Sequence, residues 1–123
     1  MSSPAVLMVG LPWNHHTVTS RFDANAIRVN LEQTEASMND AGYDFKPCYI
    51  GPEQGMTPLI DELSLKRWDG VVIGFGVRGN SDLTVFFEQI VNVVREHAPA
   101  AKLLFNSSPG STLDAAKRWF PVP

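Results

Sequence analysis

The sequence predicts an α/β domain in which a four-stranded parallel sheet lies between two layers of helices, a three-layer α/β/α sandwich. Three observations carry this prediction. Short β-branched runs alternate with longer segments of helical period, the pattern of a parallel sheet whose crossovers are helices. The runs at residues 5–9 and 71–73 are apolar at every position, as strands buried on both faces are. The run at residues 43–50 instead mixes Asp44 and Lys46 with Phe45 and Cys48. It also contains Pro47, which cannot donate to a central ladder, so it reads as an edge strand.

The elements follow in chain order. The first strand, residues 5–9, leads into a polar loop from Gly10 to about Ser20. Ala24, Ile27, Leu31 and Met38 then share one helical stripe, with Ser20 and Asp23 as a capping start and Gly42 as the stop. After the edge strand, Thr57-Pro58 is a cap followed by a first-turn proline, and Leu59, Ile60 and Leu63 form the buried side of that helix. Trp68-Asp69-Gly70 turns the chain into the third strand. The loop from Gly74 to Ser81 precedes the most strongly amphipathic helix, with Leu83, Phe86, Phe87, Ile90, Val91 and Val94 on its stripe. The fourth strand is residues 102–105. Asn106-Ser107-Ser108-Pro109-Gly110 follows, and Ser111 caps a short last helix that runs through Arg118.

With the second strand at an edge and the first and third central, the expected strand order is 2-1-3-4. That order resembles the flavodoxin-like arrangement, one strand short of five; a Rossmann-like half with order 3-2-1-4 is the alternative.

Bulk composition narrows the function. A chain of 123 residues is the size of one domain, here residues 1–123, and is long enough to bury a core without staples. A net charge of −3 gives no basic footprint for nucleic acid and no basic run for an anionic membrane. The apolar start at residues 5–9 is too short to span a bilayer and lacks the basic segment of a signal peptide. Cys48 is alone, so no internal disulfide forms and nothing argues for an oxidising compartment. A cytoplasmic protein is expected.

Ligands of open parallel sheets bind outside the carboxyl ends of the strands, where the strand order reverses. Pooling the loops after the first, third and fourth strands collects Trp13, Asn14, His15, His16 and Thr17, then Phe75, Arg78, Asn80 and Ser81, then Asn106, Ser107, Ser108 and Ser111. The opposite loops are blander. Trp13 reads as a pocket wall or a partner contact. Arg78 offers a planar fork suited to phosphate or carboxylate, with Asn80, Ser107 and Ser108 as hydrogen-bonding groups, or else it is a solvated charge. One of His15 and His16 is a candidate acid or base, because adjacent residues of an extended loop point in opposite directions. The same divergence argues against a metal pair, and no carboxylate spacing completes a site.

Gly74-Phe75-Gly76-Val77-Arg78-Gly79 is similar to the dinucleotide-binding glycine motif. It follows the third strand rather than the first. The next strand ends in Asn106 where a ribose-binding acid belongs, and no second half follows. The alternative is that Gly74 and Gly76 relieve crowding at the turn. The expected function is therefore binding of a small anionic molecule, with catalysis that needs no cofactor. A non-catalytic nucleotide- or flavin-binding module and a protein–protein module are the alternatives. Thr17, Thr19 and Ser20 resemble a flavin phosphate loop only loosely, since its glycine is missing. A receiver-like switch is disfavoured, because no acidic cluster follows the first strand. A homodimer is expected, with Val85 and Val93 at or near the contact.

Overall fold

The computed structural model describes residues 3–122. Its four strands are β1 (Ala5–Gly10), β2 (Asp44–Tyr49), β3 (Gly70–Ile73) and β4 (Lys102–Phe105). All pairings are parallel, and the order is β2-β1-β3-β4. In register, Val6 faces Phe45 and Gly70, and Val9 faces Cys48 and Ile73. Pro47 lies in β2, which pairs only with β1, so its missing N–H interrupts no second ladder.

The side-chain alternation of β1 explains the layers. Ala5, Leu7 and Val9 point to one face, with Leu59 and Leu63 of α3 (Thr57–Leu65) and Phe86, Ile90 and Val94 of α5 (Thr84–His97). Val6 and Met8 point to the other, with Met38 of α2 (Ala24–Asp40) and Ala115 and Ala116 of α6 (Thr112–Trp119). Both faces of β1 and β3 are thus covered, which their unbroken apolar runs require. Each fully buried valine or leucine contributes about 1.5–3 kcal/mol. The end of the sheet opposite the cavity described below is tied by Asp69. Its carboxylate accepts from Ala5 N at 2.8 Å, and its carbonyl accepts from Lys102 N at 3.0 Å.

Local detail departs from expectation in three places. The side chain of Asp23, not Ser20, caps α2, accepting from Asn25 N at 3.0 Å. Both loops expected to be irregular contain one-turn helices, α1 (His16–Thr19) and α4 (Phe75–Arg78). Asn80, expected as a ligand-side hydrogen-bonding group, caps the turn before α5, its Oδ1 accepting from Asp82 N at 3.0 Å. No helix of the described residues is long and apolar enough to cross a membrane.

Candidate functional site

A cavity of about 320 Å³ opens where the order turns outward from β1 and β3, at the carboxyl ends of the strands. Its floor is Met8 and Val9 of β1 and the turn at Gly74. Its walls include Phe22, Leu31, Tyr49 and Phe75, and the serine loop after β4 closes one side. Arg21 is the one basic residue of the lining, and no carboxylate belongs to it. Arg21 is exposed and has no ion-pair partner among the described residues.

Six of the sequence candidates line this cavity: Thr17, Phe75, Asn80, Asn106, Ser107 and Ser108. Asn106 organises their loops. It is buried at the end of β4, and its Oδ1 accepts from Phe75 N at 2.9 Å. That N–H can only donate, so it fixes the amide orientation and directs Nδ2 to the Thr112 hydroxyl, also at 2.9 Å. The Ser107 hydroxyl lies 3.2 Å from Ser111 Oγ, and the N–H groups of Ser107 and Ser108 both donate to Ser111 Oγ, at 2.9 and 3.1 Å. Ser111 therefore ties the loop shut, where a simple helix cap was expected.

Arg78 is placed elsewhere. Its guanidinium lies 5.1 Å from the centre of the Phe75 ring and 5.5 Å from that of Phe105, and it donates to Asn106 O at 3.0 Å. The cavity lining includes neither Arg78 nor Trp13, Asn14, His15 or His16. The glycines are also distributed differently from expectation. A Cβ on Gly76 would meet nothing within 4 Å, and one on Gly74 would make only ordinary contact with Val9 O at 3.5 Å. The crowded position is Gly79, where a Cβ would fall 2.6–2.8 Å from the Phe75 ring.

The two histidines do not diverge as in an extended loop. His15 is the N-cap of α1 and His16 its first residue, and their rings lie 4.3 Å apart at 30°. His16 is exposed, whereas His15 is buried. His15 Nδ1 receives the backbone N–H of Thr17 at 3.3 Å and lies 2.9 Å from Thr17 Oγ1. Because a backbone N–H can only donate, Nδ1 carries no proton, and the ring proton sits on Nε2. Nε2 then donates to Glu53 Oε1 at 2.9 Å. The hydrogen bond from His15 holds the Glu53 carboxyl below its usual range. Thr17 itself lines the cavity.

Arg21, Tyr49 and Glu53 were not singled out by sequence reasoning. Tyr49 ends β2 and Glu53 lies in the turn after it, and the mixed polar pattern of an edge strand carries no signal for a site at its carboxyl end. A signal existed for Arg21, the only basic residue besides the two histidines between β1 and the Asp23 cap. No family model, curated protein or solved structure matches the chain.

Proposed function

We propose that this protein binds a small anionic molecule with an apolar body in the cavity beside β1 and β3, and acts on it without a cofactor. The observation that carries the reading is the make-up of the lining: apolar and aromatic walls, one arginine and no carboxylate. Such a lining rewards an apolar body by burial and favours a negative charge over a positive one. Arg21 supplies the anion contact in this reading, and Asn80, Ser107 and Ser108 orient the ligand. Arg78 acts indirectly, through Phe75 and Asn106. A cytoplasmic, flavodoxin-like protein remains part of the proposal. So does a homodimer with Val85, 67% exposed, at its contact; light scattering at high concentration decides it.

The experiment is a thermal-shift screen with aryl and alkyl carboxylates and phosphates beside their neutral amides, with free nucleotides and flavin included. Anionic apolar compounds should raise the melting temperature, and their amides should not. A hydrogen bond to a charged group contributes about 1.5–3 kcal/mol, so Arg21→Gln should weaken binding roughly tenfold to a hundredfold. Equal shifts from acids and amides, or unchanged affinity in Arg21→Gln, would remove the anionic part of the reading.

A further inference from the structure

The chain Glu53–His15–Thr17 assembles a base and a hydroxyl at the cavity wall from residues up to 38 positions apart. Three observations make it more than a helix cap. The imidazole is buried and held at both nitrogens, so its tautomer and orientation are fixed. The unprotonated nitrogen lies 2.9 Å from a hydroxyl whose residue lines the cavity. Gly51 leaves the space this arrangement occupies: a Cβ there would lie 3.0 Å from His15 Cδ2 and would clash with the Glu53 carboxylate. Hydroxyl, base and orienting carboxylate in sequence form the constellation that activates a nucleophile.

We propose that Thr17 is a nucleophile activated by His15 and Glu53, and that the cavity hydrolyses carboxylic esters with an apolar acyl group, the anion that Arg21 meets being the carboxylate of the acid formed. The inference rests on the cavity being a ligand site. Thr17 Oγ1 bonds to the acyl carbon as its proton passes to His15 Nδ1, and Glu53 stabilises the imidazolium. The ester C–O bond then breaks, and the leaving alkoxide takes that proton. Water attacks the acyl-threonine with His15 again accepting the proton, which releases the acid and restores the hydroxyl. Thr17 and His15 touch the reacting atoms, whereas Glu53 is a positioning residue.

The test is covalent labelling by diisopropyl fluorophosphate, in which Thr17 Oγ1 bonds to phosphorus and fluoride leaves, read by intact mass and peptide mapping. Release of nitrophenol from p-nitrophenyl esters is followed in parallel. The wild type should form one adduct, on Thr17, and hydrolyse the esters. Thr17→Val should do neither, and Thr17→Ser should retain both. His15→Asn keeps a capping oxygen for the Thr17 N–H but removes the base, so it should fold and label about a hundredfold more slowly or worse. Glu53→Gln should slow labelling without changing the adduct's position. No adduct on the wild type, an adduct elsewhere, or His15→Asn labelling at the wild-type rate would overturn the inference. If acids still shift the melting temperature in that case, the binding reading survives alone. If Thr17 is labelled although no acid binds, the nucleophile survives and the anion reading falls.

Discussion

At the scale of single residues, side chains of the same type play unlike parts. Arg78 at the end of α4 and Arg21 in the turn after α1 are both exposed, yet only Arg21 lines the cavity, while Arg78 lies against two phenylalanine rings and holds the Asn106 carbonyl. Arg78→Ala should therefore lower stability by about 1 kcal/mol, through the lost stacking and hydrogen bond. It should reduce ligand affinity less than Arg21→Gln does, and denaturant titration beside binding isotherms would show both. A greater affinity loss in Arg78→Ala would return the anion contact to that residue. Part of the cavity lining is legible in the sequence, since Asn80, Asn106, Ser107 and Ser108 all follow predicted strands at their carboxyl ends and all four line the cavity. Which histidine is buried is not, because that depends on His15 being a helix cap and on Glu53, which reaches it from another loop.

At the scale of elements, the long helices were legible and the one-turn helices were not. Four residues are too few to show a 3.6-residue period, so α1 and α4 read as polar loop. Only packing shows what the glycine motif of α4 is for: Gly79 clears space for the Phe75 ring, which Arg78 covers from its guanidinium face. Two substitutions separate the glycines. Gly76 is helical with open space around it, so Gly76→Ala should be neutral or stabilise by about 0.4–1 kcal/mol. Gly79→Ala should displace the Phe75 ring, which is half-exposed and can swing aside, so it should cost less than about 1 kcal/mol in stability but lower ligand affinity, because Phe75 is a wall of the cavity. Melting curves and affinities of both variants are the measurement. If Gly76→Ala were the damaging change, the motif would be serving close approach of a ligand backbone or phosphate instead.

At the scale of the whole molecule, strand order was legible because burial is written into composition: the polar, proline-bearing strand is at an edge, and the two apolar strands are central. The location of the cavity followed from that order. Its chemistry did not, because the end of β2 contributes to the site and a mixed edge strand gives no sign of it. The same edge strand couples global stability to alkaline pH. Cys48 is buried in β2, and burial raises its thiol from about 9 to about 11, with Glu62 adding to the shift and Lys46 opposing it. The folded pKa lies above the unfolded one, so between these values the folded chain holds a proton that the unfolded chain has lost. The contribution is fully present below about pH 9 and disappears as pH rises to about 11, and it amounts to roughly 2–3 kcal/mol. Burial also raises Tyr49 to about 12, which extends the loss upward. Denaturant midpoints should therefore fall between pH 9 and 11 in the wild type and fall less in Cys48→Ala. Thiolate absorbance of the folded protein should appear only near pH 11; a thiolate titrating near 9 in the folded state would show that water reaches the β2 edge and that this side of the core is open.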